Sequence, residues 1–109
     1  MPQQPDLTTA LDRLWLQFRP QMEERLSTLE AVAIALAANT LSPEQSSAAA
    51  AAAHNLAGVL GTFGLAHGTD LARELEQHYS ADPISNSAQK LASNTAELRS
   101  LIANRYQRS

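Results

Sequence analysis

The sequence predicts an all-α protein, an antiparallel up-down four-helix bundle with an N-terminal helical arm kinked near Pro20. Three observations carry this. Apolar residues recur at spacings of three and four along successive stretches of the chain, which is the period of one helical face. Cap-then-proline signals open two of those stretches, and such signals start helices. The breaks between stretches are short, favouring antiparallel neighbours, and strand-type alternation is absent from the sequence.

The first stripe comprises Leu7, Leu11, Leu14, Phe18, Met22, Leu26, Leu29, Ala33 and Leu36, with Asp6 as a fair N-cap. Pro20 removes the hydrogen bond to the Leu16 carbonyl, yet the stripe keeps its phase across it, so a kinked helix is favoured over two separate ones. Asn39 and Thr40 end it. Ser42-Pro43-Glu44-Gln45 then reads as a helix start: Ser42 caps, Pro43 suits the first helical position, and Gln45 can close a capping box. Six alanines, Ala48 to Ala53, propagate that helix through His54 to about Phe63. Gly64 and Gly68 bracket a short turn. A third helix follows with Leu71, Leu75 and Tyr79 on one face. Asp82-Pro83 opens a last helix with Ile84, Ala88, Leu91, Thr95, Leu98 and Ile102 as its apolar side.

Composition narrows the class. At 109 residues the chain is expected to form one domain, residues 1–109, with residues 1–5 disordered. Hydrophobic residues reach 44% but aromatics only 5%, a balance rich in alanine that suits close-packed helices. The net charge of −3 argues against nucleic acid as partner, since such binders carry a clustered basic face. There is no cysteine, which removes disulfides and thiolate metal sites and fits a reducing cytoplasm. No signal peptide is read at the N-terminus, and no apolar run approaches the ~20 residues needed to span a bilayer. The expectation is a cytoplasmic monomer.

On a helical wheel of residues 43–63, Ala49, Ala52, Ala53, Leu56, Leu60 and Phe63 form the core side. The opposite strip holds Ser47, Ala50, Ala51, His54, Ala57, Gly58 and Gly61. His54 is thus expected to point out of the bundle among the smallest side chains available, with Asn55 beside it, and Ser47, Ala50, Ala51, Asn55, Ala57, Gly58 and Gly61 are expected to form the surface on which a partner docks. Glycine in mid-helix costs about 1 kcal/mol relative to alanine, and two stand in this helix. Gly58 lies one turn from His54, where it clears space beside the imidazole for an approaching surface. A neutral imidazole, with an ordinary pKa of about 6.5, is a competent nucleophile near neutrality, and attack on a phosphoryl group would leave a transferable phosphohistidine. The chain has no Gly-rich phosphate loop, Walker lysine or kinase catalytic loop, so donor and metal must come from a partner. Spacing alone also allows the plainer reading, an ordinary surface histidine beside glycines that permit close packing.

The eleven residues His54-Asn55-Leu56-Ala57-Gly58-Val59-Leu60-Gly61-Thr62-Phe63-Gly64 resemble the signature of histidine-containing phosphotransfer (HPt) domains. They are most similar to modules embedded in multi-domain response regulators, which often read H-K-L-A-G-S-L-G-T-F-G. The resemblance continues through Gly68, Leu71, Ala72, Arg73, Glu74 and Glu76, and reaches back to Leu14-Trp15 and Arg25-Leu26-Leu29-Glu30. It implies that His54 is the phosphorylated residue, that Gly58 provides clearance, and that the chain is a phosphoryl carrier in a two-component phosphorelay without kinase activity of its own. It implies as partners a response-regulator receiver domain, a hybrid histidine kinase, or both. No cofactor is expected in this chain; Mg²⁺ is expected only in the receiver, beside its aspartate. The alternative is a degenerate HPt-like bundle acting only as an interaction scaffold, which a buried His54 would favour. HPt domains commonly carry Lys or Arg one or three residues after the histidine, and here those positions are Asn55 and Ala57; Val59 stands where serine is frequent. Charge neutralisation is then left to Asn55, to the partner, or to nothing.

Other polar residues read as structural or solvated. His67 and His78 do not complete a metal set with His54, because helical ligand pairs need three- or four-residue spacing, and the pair read for it, Glu74 and His78, makes two ligands and no closed site. Glu23, Glu24, Glu30, Glu74 and Glu76 are read as a solvated face, Trp15 as packing the arm onto the bundle, and Arg99, Arg105 and Arg108 as too sparse for nucleic acid.

Overall fold

A computed structural model describes residues 7–81 and 88–107. Four helices account for nearly all of them: α1 (Leu7–Ala37), α2 (Pro43–Thr62), α3 (Ala66–Ser80) and α4 (Ala88–Gln107). Each packs on its sequence neighbours, and α4 returns onto α1. Cross-helix contacts fix the directions. Along α1 and α4, Asp12 meets Arg105 while Glu30 meets Arg99. Along α2 and α3, His54 meets Glu76 while Gly61 faces Thr69. Along α3 and α4, His67 meets Glu97 while Glu74 meets Asn94. In each pair one index rises as the other falls, so neighbours are antiparallel and the topology is the expected up-down bundle.

At 31 residues, α1 spans about 46 Å against about 30 Å for the 20-residue α2, and its N-terminal part forms the arm. The helix continues unbroken across Pro20. Trp15 fastens the arm. It is 1% exposed, its ring meets Phe63 edge-on with centroids 5.0 Å apart, and the Arg105 guanidinium lies 5.2 Å from its centroid. An edge-to-face pair and a cation over an indole each add to the burial of apolar area. In the arm the inward residue is Trp15 rather than Leu14, which is left 40% exposed.

The helix ends follow local chemistry. Asn39 adopts φ 62° and closes α1 with paired bonds from its own N–H to Leu36 O and from Thr40 N–H to Ala35 O. Gly64, φ 72°, closes α2 the same way, with Gly64 N–H donating to Gly61 O and Leu65 N–H to Leu60 O. Both use a left-handed residue just past the helix, the position that favours Gly or Asn. The capping box at Ser42 forms as expected: Gln45 N–H donates to Ser42 Oγ at 3.1 Å and Ser42 N–H to Gln45 Oε1 at 2.8 Å. Gly68 is not part of the turn. It lies buried inside α3, where a β-carbon would come within 3.2 Å of Leu60 Cδ1, so its role is the close approach of α3 to α2. Met22, Leu26, Leu29, Leu56, Leu60, Leu75, Tyr79, Leu91 and Leu98 fill the core, each large side chain contributing about 1.5–3 kcal/mol through burial. The caps at Asp6 and Asp82-Pro83, Ile84, the expected disorder of residues 1–5, and Arg108 lie outside the described residues. No described helix is long and apolar enough to cross a membrane.

Candidate functional site

His54 sits midway along α2 with 72% of its side chain exposed. It leans toward α3, where its Nδ1 lies 3.0 Å from Glu76 Oε2, and Glu76 itself is about one-third exposed. A carboxylate at this distance accepts the Nδ1 proton, which leaves the lone pair on Nε2, the nitrogen turned away from α3. A neighbouring hydrogen bond that fixes the tautomer in this way determines which nitrogen is available for chemistry. A β-carbon at position 58 would meet no atom within 4 Å, so the space next to the imidazole is open. Helix α2 contributes Glu44 as its lone charged side chain and no lysine or arginine.

Most of the expected docking strip surrounds the histidine. Ser47, Ala51, Asn55, Gly58 and Gly61 are exposed and Ala50 is half-buried. Ala57 departs from the expectation. It is 7% exposed and belongs to the core, because α2 is packed on two sides, by α1 and by α3, which widens its buried arc beyond the single face a wheel assumes. Ala57 therefore leaves the docking surface. Asn55 lies on the other flank, against Gln21 and Arg25 of α1 in a small cleft.

Glu76 is the site residue that patterning along one helix cannot find. The sequence pattern groups it with a solvated acidic face, and that grouping also fails elsewhere: Glu74 accepts from Asn94 at 2.7 Å, and Glu30 and Glu23 clamp Arg99, whose pKa those partners push further upward. The signal for Glu76 lies in the hairpin. His54 and Glu76 stand equally far from Leu65 in sequence, as do Gly61 and Thr69, and both pairs meet across the seam. A tight antiparallel turn places residues at equal distances from its centre face to face.

His67 begins α3 with 62% of its side chain exposed and pairs with Glu97 at 2.6 Å. Among the described residues no group of three or more His, Asp or Glu side chains could hold a metal.

A family model described as Hpt domain matches residues 13–107. Protein RcaC of Microchaete diplosiphon is 38% identical over 66 residues, covering 61% of this chain but 10% of that protein. The chain thus spans about a tenth of the length of this curated relative. No solved structure matches.

Proposed function

This chain belongs to the Hpt domain family, whose members carry phosphoryl groups in phosphorelays and interact with receiver domains and histidine kinases, and on that premise we propose that His54 is its phosphoryl acceptor. The observation that carries the reading is one arrangement: an exposed imidazole, its Nδ1 held by Glu76, beside the open space over Gly58.

The step balances without any further reactant. The Nε2 lone pair attacks phosphorus of an aspartyl phosphate on a receiver domain, the P–O bond to the aspartate breaks, and the carboxylate leaves with the electron pair. The Nδ1 proton stays in place, shared with the Glu76 carboxylate, which offsets the positive charge that develops on the ring. A cationic phosphoimidazole is itself a good donor, so the reverse sequence returns the group to a second aspartate. The receiver brings the aspartate and the Mg²⁺ that screens the phosphoryl oxygens; this chain brings the nucleophile and its clear approach. The scaffold alternative would draw its support from a buried histidine, and His54 is exposed.

Incubation with a phosphorylated receiver domain tests the proposal. A label that is lost in acid, survives base and disappears in His54→Gln is expected, with the thermal melt of the variant unchanged because exposed helix positions tolerate polar exchange. Retained labelling of His54→Gln would move the site to another residue and overturn the assignment.

A further inference from the structure

We infer that Arg73 of α3 supplies the cation that binds the phosphoryl oxygens on His54, taking across the helix seam the part that no side chain of α2 can play. The inference rests on His54 being the acceptor.

The site needs positive charge. A phosphoryl group brings close to two negative charges, Glu76 adds a carboxylate already in contact with the ring, and α2 offers no lysine or arginine. Arg73 is placed to answer that need. Ala57 and Arg73 stand equally far from Leu65, just as His54 and Glu76 do, so the hairpin register sets Arg73 across the seam from Ala57, next to Gly58. It lies three residues before Glu76, an axial rise of about 4.5 Å, on a helix whose axis runs about 8–10 Å from that of α2. Those separations are within the combined reach of an arginine and a phosphorylated imidazole. Ala57 is turned inward and Gly58 has no side chain, so nothing on α2 stands between them.

Its freedom is the second observation. Arg73 is exposed, and among the described residues no hydrogen bond or ion pair holds it. Other cations are committed or distant. Arg99 and Arg105 are tied to α1 carboxylates, Arg19 and Lys90 have partners, and Arg13 stands on the arm beyond Trp15. Arg25 is the nearest competitor. It lines the cleft beside Asn55, on the α1 flank, whereas the tie to Glu76 draws His54 to the α3 flank. Arg73 is also the sole Lys or Arg in α3. A guanidinium is suited to the task because its fork of donors matches phosphate oxygens.

The test uses the whole chain and phosphoramidate, a small phosphoryl donor that needs no partner, with phosphohistidine formation followed by phosphorus NMR. Wild type, His54→Gln, Arg73→Ala, Arg73→Lys and Arg25→Ala are compared. Arg73→Ala is expected to slow labelling roughly tenfold, about 1.4 kcal/mol in the barrier, and to make the rate less sensitive to salt, while Arg73→Lys keeps most of the rate and Arg25→Ala all of it. Thermal melts should coincide, since Arg73 is exposed, and Lys rescue separates charge from packing. Equal rates for Arg73→Ala and wild type, with the label still lost in His54→Gln, would overturn the role of Arg73 and leave the acceptor standing. Slowing by Arg25→Ala instead would assign the cation to the α1 flank. If wild type takes up no label at His54 from phosphoramidate or from a receiver, both readings fall together.

Discussion

Along the α1–α4 seam, Arg99 forks onto Glu30 and also reaches Glu23 at 2.8 Å, Arg105 meets Asp12 at 2.9 Å, and the same arginine covers Trp15. On the α2 side of the α2–α3 seam the exposed residues are mostly alanine, serine and glycine, and across the seam there is one imidazole–carboxylate contact. The two seams share a bundle and a core, yet one ties its charges down while the other presents an exposed imidazole, held at one nitrogen by Glu76, and an arginine, Arg73, that has no partner among the described residues. A bundle held by paired charges on one side can expose a stripe of minimal side chains on the other, because its outer stripe is not asked to hold the helices together. The core beneath both seams does that, and the close approach at Gly68 brings α3 near enough for Glu76 to reach the histidine.

The largest expected effect comes from filling the cleared stripe. Gly58→Leu is predicted to cut transfer from a phosphorylated receiver at least about 100-fold, near 2.7 kcal/mol in the barrier, while the helix gains stability from better propensity. Labelling by phosphoramidate should fall far less, because a small donor does not need the space a protein surface does. Equal loss with both donors would mean that the glycine serves the chemistry itself rather than the docking of a partner.

The difference between the seams also explains what the sequence disclosed. Apolar periodicity sets the buried faces of α2, α3 and α4, and the Ser42 box and the Asn39 stop are local chemistry readable from a few residues. His54 stands out in the sequence as the candidate because its neighbours at three- and four-residue spacing are conspicuously small, and because the residues through Gly64 carry a family pattern. Glu76 was not legible along its own helix, where it is one acidic residue among several; its meaning lies in the register of the hairpin about Leu65. Ala57 was misplaced by treating α2 as packed on one face when α1 and α3 both cover it. Trp15 packs the arm as its sequence reading expects, but Leu14, placed in the same apolar stripe, stays exposed because the indole takes the inward position against Phe63 and Arg105, a partnership between residues far apart in sequence.

On the charged seam the expected effect concerns stability alone. Arg99→Met keeps the aliphatic stem but removes the fork from Glu30 and Glu23, leaving two acidic side chains facing each other. Exposed ion pairs contribute only about 0.2–1 kcal/mol each. Arg99 is about a third exposed, so solvent screens it, but it joins two carboxylates with a bidentate contact. A loss of about 1.5–2 kcal/mol is expected, shrinking in high salt, with the phosphoryl transfer rate unchanged. Denaturant melts at low and high salt measure the first part, and receiver-dependent labelling the second. A transfer defect in this variant would show that the two seams are coupled and undo the division of labour drawn between them.

The smallest expected effect lies in the single contact on the exposed seam. Glu76 holds Nδ1 and thereby directs the lone pair to Nε2. A hydrogen bond of this kind contributes about 1 kcal/mol, and if it acts in the transition state its loss slows transfer roughly fivefold. Glu76→Ala should therefore slow labelling about that much, and Glu76→Gln should fall between it and wild type, because an amide oxygen still accepts the Nδ1 proton but brings no negative charge to offset the ring. The position of the label discriminates further: nitrogen-edited NMR should find phosphorus on Nε2 in wild type and in Glu76→Gln, with some on Nδ1 once Glu76→Ala frees both nitrogens. Glu76→Ala with wild-type rate and label solely on Nε2 would mean that the approach over Gly58 selects the nitrogen by geometry and that the carboxylate is a bystander to it.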